Sequence, residues 1–464
     1  VKAPGRGWRH RDHARGRLLP SLLVLALPLL ASSLVAGVGF QLVELAFLAR
    51  LGEAPMAAVI IVNQSLRQTL FLVVMGASFG SQALIARSVG EGRLEAAEHV
   101  AGQLVLLGVL FWLLVAAAGL AIPEQLFALA GPDPAFAPYG VPYLRLSFLL
   151  CFGMLGSQFF GAILGGAGDT ATPLFVLLVQ TAVSVLLEWM LIFGRLGAPA
   201  LGVEGVALGL ACGQGVGLAI ALVVLFRGRA RVHLRRRHLV PDPRMLRRIL
   251  SLSWPPALQM GGSVVMVFAF LRLAGSYGDT VQAAYAIGLR LGMIAPAVSF
   301  PLATACATLV AQSLGAGDVP RAWRSIGIGL AVHGTLMLGF ALAVAVWREP
   351  ILALVSSDPE VRRVGSEYLL YAAGGFAMWA FFFVFLRALQ GAGDVLVPMV
   401  ISLANVFCVS IPLAHGLSRG LSLGPTGIWI AHLVGTVVVT LASGAWLATG
   451  RWARRGRQQE DGAA

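Results

Sequence analysis

Gly166-Ala167-Gly168-Asp169 recurs residue for residue as Gly391-Ala392-Gly393-Asp394, and Ala86-Arg87-Ser88-Val89-Gly90 returns at the same spacing as Ala311-Gln312-Ser313-Leu314-Gly315. Pro173 and Pro398 keep that spacing, while Ala57-Ala58 and Ala283-Ala284 depart from it by one residue. A register shared over so much of the chain marks two copies of one unit. Apolar runs between the motifs give six segments per copy, so both copies enter the bilayer from the same side. Such parallel repeats are related by an axis along the membrane normal and leave a cleft between them suited to alternating access. The expected organisation is a six-helix N-terminal lobe over 1–226, a basic linker over 227–248 and a six-helix C-terminal lobe over 249–464.

The composition supports a membrane fold. Of 464 residues, 58% are hydrophobic and 12% charged, and the mean hydropathy is +0.83, a balance that a water-soluble domain does not carry. Runs of about 18–25 apolar residues recur from Leu18 to Leu447, each long enough to cross a hydrocarbon core about 30 Å thick. Backbone groups in lipid must pair within the segment, so the runs are expected to be helices. The fold class is therefore all-α integral membrane with about twelve spans. They lie near 20–50, 55–87, 98–122, 139–165, 170–194 and 201–226, then 247–275, 280–313, 322–347, 362–390, 395–417 and 424–450.

The net charge of +13 rests on arginine, with a single lysine. The arginines cluster between apolar runs rather than in a stripe interleaved with aromatics, which argues against nucleic acid as a partner. With the N-terminus inside, about two dozen basic residues fall in the inner segments and roughly seven outside, so both termini are expected in the cytoplasm. The largest group runs from Arg227 to Arg248, where topology control and contact with anionic lipid are both open. Arg9, Arg11, Arg15 and Arg17 before Leu18 mimic a secretory signal, but the apolar stretch continues to Leu48, which predicts an uncleaved first helix. Cys151, Cys212, Cys306 and Cys408 lie singly within apolar runs, without metal-ligand or CxxC spacing, and read as small core residues. No cofactor and no metal is expected.

Acidic side chains inside a membrane are costly and mark function. Glu44, six residues before Arg50, and Glu188, seven before Arg195, lie at matching depth, about 9 Å below the outer boundary at 1.5 Å per residue. Their counterparts in the second copy fall near Phe270 and Leu413, so the acidic pair belongs to the first lobe alone. Desolvation and mutual repulsion favour the neutral form of such a pair, which is how proteins build proton sites. A static ion pair of Glu44 with Arg67 is the competing reading. Asn63, Gln64, Arg67 and Ser184 are possible supports, and Pro28, inside the first helix, permits a bend on the element that carries Glu44. Trp189, Trp379 and Phe381, with Phe159, Phe160, Phe382 and Phe383, are candidate linings for flat cationic ligands, or else core and lipid-facing residues. The GAGD segments follow no strand, so helix-entry chemistry explains them better than phosphate binding. Arg67, Arg145 and Arg290 are the arginines expected to be buried.

Together these segments resemble the multidrug and toxic-compound extrusion (MATE) family over nearly the whole chain. Val43-Glu44-Leu45-Ala46-Phe47-Leu48-Ala49-Arg50-Leu51-Gly52 is similar to the family's VDTxFVGRLG pattern, and Leu309-Val310-Ala311-Gln312-Ser313-Leu314-Gly315-Ala316-Gly317 to its LVAQxxGAG. Gly168-Asp169-Thr170 to Pro173, Leu191-Ile192-Phe193-Gly194 and Gly202-Val203-Glu204-Gly205 follow in the family's order. The resemblance implies export of small organic, often cationic, molecules across the inner membrane by a monomeric antiporter. It implies H+ as coupling ion, with Na+ the alternative, and places Glu44 and Glu188 where DinF-like members carry aspartates. Ser184 replaces a common asparagine and Leu210 a threonine, and Pro28 to Glu44 is one residue longer than the family spacing. The acids that NorM-like members carry on helices seven and ten have no match near Val264 and Trp379. A lipid-linked oligosaccharide flippase of the wider superfamily and an integral membrane transferase are the competing readings; the first calls for a cationic cavity, the second for a convergent acid, base or metal cluster.

Overall fold

The computed structural model describes residues 16–131, 133–228 and 231–453; Arg9, Arg11 and Arg15 lie outside the described residues. The described chain is helical, with eleven helices long and apolar enough to cross a membrane and one bent pair that completes a twelfth span. In order they are α1 Leu18–Leu48, α2 Glu53–Gly90, α3 Leu94–Ala121, α4 in two pieces Pro134–Leu149 and Phe152–Ala167, α5 Ala171–Phe193 and α6 Val203–Phe226. Then come α7 Pro243–Gly275, α8 Asp279–Gly315, α9 Val319–Val355, α10 Pro359–Gly391, α11 Leu396–Gly420 and α12 Pro425–Ala448. The sequence predicts α4 as one helix; the structure bends it by 46° at Leu150 and Cys151.

The repeat register explains the irregular turns. Pro28 and Pro255 stand 227 apart, Ala57 and Ala283 226 apart, and Ala86 and Ala311 225 apart. Each drop of one residue coincides with a π-turn in the first copy, at Val35–Gly39 in α1 and at Asn63–Arg67 in α2. A π-turn closes i→i+5 bonds and accommodates one extra residue without ending the helix. The long Pro28-to-Glu44 interval is this insertion. A third π-turn, Asn405–Ser410 in α11, returns the spacing to 226. The counterpart of Glu188 is therefore Ala414, one residue beyond the Leu413 expected from a constant offset.

The GAGD segments are packing and capping devices. A Cβ on Gly166 would lie 2.8 Å from the Gln82 carbonyl oxygen of α2, and one on Gly391 2.6 Å from the Ala307 carbonyl oxygen of α8. Gly168 and Gly393 adopt φ of +91° and +87°, the left-handed stop that glycine tolerates. Asp169 then accepts from the Thr172 backbone N–H at 3.0 Å and its hydroxyl at 2.6 Å, starting α5. Asp394 accepts from the Trp446 indole at 2.8 Å.

The chain forms two compact units, one holding Val24–Trp254 and the other Arg17–Leu23 with Pro255 onward. In the first, residues 231–242 form a strap across the start of α3. Gln103 donates to the carbonyls of His238 (3.1 Å) and Val240 (2.7 Å) and accepts from the Asp242 N–H (2.9 Å). Gly102 lets the His238 carbonyl approach where any side chain would block it, and Val232 and Leu234 are buried. Two of the expected small core cysteines, Cys151 and Cys306, are buried, but Cys212 and Cys408 are exposed on outward helix faces.

Candidate ion-coupling site

The site is built on α1, α2, α4, α5 and α6 of the first unit. Four side chains on α5, Gln180, Ser184, Glu188 and Ile192, recur every fourth residue and form one buried line. Facing them on α6 are Gly217, Gly213, Gly209 and Gly205, also at every fourth position. A Cβ on Gly209 would come within 2.6 Å of the Glu188 backbone nitrogen, and one on Gly213 within 2.1 Å of the Ser184 hydroxyl. This small-residue face lets two backbones approach closely inside a membrane, and it covers the α6 side of Glu188.

Glu188 is 0% exposed, and neither carboxyl oxygen has a hydrogen-bond partner among the described residues. Burying an ionised, unpartnered carboxylate costs several kcal/mol, and protonation removes that cost. The charges that act on it are those of Glu44 and Arg67. The ends of α1 and α5 meet just beyond: Phe47 stacks edge-on against Phe193 at 5.8 Å, and the Arg50 guanidinium lies 5.9 Å from the same ring.

Glu44 is half-buried and accepts from Asn63 Nδ2 at 3.4 Å. Asn63 Oδ1 in turn accepts from Arg67 Nη1 at 3.1 Å and from the Tyr143 hydroxyl at 2.9 Å, and Arg67 Nη1 also donates to the Tyr143 oxygen at 3.1 Å. Arg67 is thus tied to a neutral triangle, with Asn63 between it and Glu44; among the described residues no direct Arg67–Glu44 ion pair forms. Asn63 and Arg67 stand four residues apart within one π-turn, which keeps both side chains on one face of α2.

The structure brings together Glu44, Asn63, Arg67, Ser184 and Glu188. Gln64 is exposed, and Pro28 lies sixteen residues, about four turns, before Glu44, its carbonyl accepting from Ser32 at 2.8 Å. Ser184 donates to the Leu210 carbonyl at 3.5 Å. Trp189 is exposed, whereas Trp379 and Phe381 belong to the second unit, Trp379 edge-on to Phe376 and Phe383. Phe159 and Phe160 line an apolar cavity of about 130 Å³ with Trp112 and Phe152. Two of the three arginines expected to be buried are not: Arg145, 49% exposed, pairs with Glu124 at the protein edge, and Arg290 is exposed near the break in α8 at Met293. Arg387, overlooked in the sequence, is buried and donates to Gln390 at 2.8 Å. Tyr143 was also overlooked, although Tyr368 repeats it at the 225 spacing; the glycines at every fourth position of α6 were the legible signal for Glu188's surroundings.

Duplicated six-helix units with carboxyl groups sealed inside one of them define a polytopic membrane protein, and its relatives make it a transporter rather than an enzyme. The MatE family profile matches residues 28–190 and 255–415, and the chain belongs to that family. It is similar to the probable multidrug resistance protein NorM of Thermotoga maritima (24% identity, 94% of this chain, 93% of that one). It is also similar to the probable multidrug resistance protein YoeA of Bacillus subtilis (26% identity, 89% of each). Among solved structures, a MATE crystal structure in the bent conformation aligns with a TM-score of 0.86 at 18% identity, over 97% of this chain and 98% of that one.

Proposed function

We propose that the protein exports small organic, often cationic, compounds from the cell across the inner membrane in exchange for protons, with both termini in the cytoplasm. The multidrug names of relatives spanning nearly the whole chain support the substrate class. The observation that carries proton coupling is Glu188: a fully buried carboxyl with no hydrogen-bond donor, beside a second carboxyl held by Asn63. Such a group is neutral while sealed and ionises only when its surroundings open to water. Proton binding is thereby tied to the state of the unit, as antiport requires.

The surrounding donor set favours H+ over Na+. A hard cation wants several oxygen ligands. Asn63 presents an N–H to Glu44, and its single side-chain oxygen is taken by Arg67 and Tyr143. Pro28 is the proposed bend point in α1 that would change the exposure of Glu44, and Trp189, Trp379 and Phe381 are proposed substrate contacts.

The test is ethidium efflux from proteoliposomes under an imposed pH gradient, compared with an imposed sodium gradient. Glu44→Gln and Glu188→Gln should each lose pH-driven transport while remaining folded by gel filtration. Wild-type rates in both variants would remove the pair from the mechanism, and transport driven by sodium alone would overturn the choice of ion.

A further inference from the structure

The second unit carries a half-buried imidazole, its Nδ1 buried, beside the position where the repeat places the first unit's Glu44. Gly205 presses on the backbone of Leu191, and Gly427 on that of Leu417; Gly213 and Gly435 each lie 2.1 Å, at the Cβ, from the hydroxyls of Ser184 and Ser410. Both glycine pairs stand 222 apart, and at that spacing His432 on α12 replaces Leu210. Its imidazole packs edge-on to Phe270 on α7, with ring centroids 6.0 Å apart. Phe270 holds the place of Glu44. The second unit thus has an imidazole next to the position where the first has a carboxyl.

His432 Nδ1 is buried and has no hydrogen-bond partner among the described residues. A neutral imidazole offers one donor and one acceptor nitrogen, and a ring used only as core filler is normally tied by at least one of them. His333 shows the tied case: its Nδ1 meets the Ala380 carbonyl at 2.8 Å. The elements packed against α12 bring Glu367, Tyr368, Tyr371 and Arg387 on α10 and Cys408, His415 and Arg419 on α11, and α7 carries Arg272. None of these hydrogen-bonds to His432 Nδ1.

We propose that His432 is a proton-binding site of the second unit, loaded when water reaches Nδ1 and emptied when the unit seals. This gives the second unit a proton step of its own, independent of the Glu44–Glu188 reading. The unpartnered nitrogen on a ring packed against Phe270 makes occupancy depend on hydration.

The experiment uses the full chain in proteoliposomes with ethidium as the transported probe, together with nitrogen-15 histidine NMR of the same vesicles. Among the histidine resonances that titrate between about pH 8 and pH 5, wild-type protein should show one that His432→Gln removes. Should His432→Gln fail to fold, Phe270→Leu identifies the resonance through the lost ring-current shift. His432→Gln should exchange one proton fewer per ethidium, read from the ethidium gradient that balances a known pH gradient. A His432 resonance that stays neutral through the whole range, or an unchanged proton count in folded His432→Gln, overturns the proposal. Loss of coupling in Glu188→Gln with the His432 titration intact keeps the two readings distinguishable, as does the reverse.

Discussion

The two units share a scaffold and differ in what they seal inside it. Where the first has Glu44, Asn63 and Glu188, the second has Phe270, Leu289 and Ala414 at the 226 spacing; Arg67 becomes Gly292 at the 225 spacing. Two residues are kept, Ser184 as Ser410 and Tyr143 as Tyr368, and the tyrosine changes its role. Tyr143 is hydrogen-bonded to Arg67 and Asn63, while Tyr368 sits in an aromatic cluster with Tyr285 at 5.2 Å and Trp429 at 4.8 Å. Gly209, which admits Glu188, becomes Ala431. The same substitution logic acts elsewhere: Gly108 borders the apolar cavity of the first unit, and its counterpart His333 fills the equivalent place with a buried ring. One architecture therefore supports an interior of carboxyls in one copy and a packed aromatic interior that includes an imidazole in the other, and the difference follows side-chain volume where the glycine is kept or lost.

The comparison breaks first at Glu188. Glu188→Gln should bring pH-driven efflux to background with the protein still folded, because the amide keeps the volume and loses the proton. Its mirror, Ala414→Glu, places a carboxyl opposite Ala431 with no glycine to admit it. It should destabilise by about 3 kcal/mol or more, through overpacking and an unpartnered buried acid, measured as a fall in the detergent unfolding midpoint. If Ala414→Glu is tolerated as well as the native alanine, the glycine face is not what permits Glu188.

The close approach can be tested alone. Gly209→Ala would place a Cβ within 2.6–2.8 Å of Glu188 backbone and side-chain atoms, and should cost about 1–3 kcal/mol by overpacking. Ala431→Gly in the second unit should cost about 1 kcal/mol, the ordinary penalty of glycine within a helix. Equal losses in thermal unfolding would show that the two helix pairs are not differently packed.

Much of this was legible in the sequence, and the misses have physical causes. The repeat, the span count and the two acids could be read because apolar length, motif spacing and charge in lipid are each visible one residue at a time. The one-residue slips at Ala57 and after Pro28 were visible too, but a slip does not say where the extra residue goes; hydrogen bonding in the π-turns decides that. Tyr143 could not be chosen by chemistry alone, since a tyrosine in an apolar run is as often an aromatic packing residue, which is what its counterpart Tyr368 is. Arg145 misled because a charge within a predicted span can lie at its edge, and it pairs there with Glu124.

A smaller effect separates the tyrosines. Tyr143→Phe removes two hydrogen bonds from the Arg67–Asn63 triangle and should cost about 1–2 kcal/mol, with a partial loss of coupling, since Asn63 then holds Glu44 less firmly. Tyr368→Phe should stay within about 0.5 kcal/mol. The check is a paired unfolding series with efflux assayed on both variants; a Tyr368→Phe loss as large as that of Tyr143→Phe would mean that the hydroxyl is not what distinguishes the two sites.

The mildest effect concerns the first turns of α3 and α9. In the first unit Glu98 takes the strap, accepting the His233 N–H at 3.1 Å and lying 3.8 Å from the His238 ring. His99 meets Asp242 at 3.0 Å. In the second unit the residue at the 225 spacing from Glu98 is Trp323, edge-on to Trp452 at 5.3 Å. One contact titrates and the other does not. The hydrogen bond from His99 holds the Asp242 carboxyl below its ordinary range, aided by the N–H groups of Met245 and Arg244. Burial, opposed by Glu98, holds His238 below the ordinary histidine range. For His238 the released strap binds its proton at a higher pH than the docked strap does, so docking weakens as pH falls below about 6.5. For Asp242 docking is full above about pH 3.9 and fades only below it. Between neutrality and about pH 5.5 the Asp242 carboxyl stays ionised, and the His238 effect sets the direction of the response. Amide exchange over 231–242 should quicken several-fold across that interval and be unchanged around Trp323 and Trp452, and His238→Asn should flatten the response. Exchange that rises equally in both places would assign the change to the whole fold rather than to the strap.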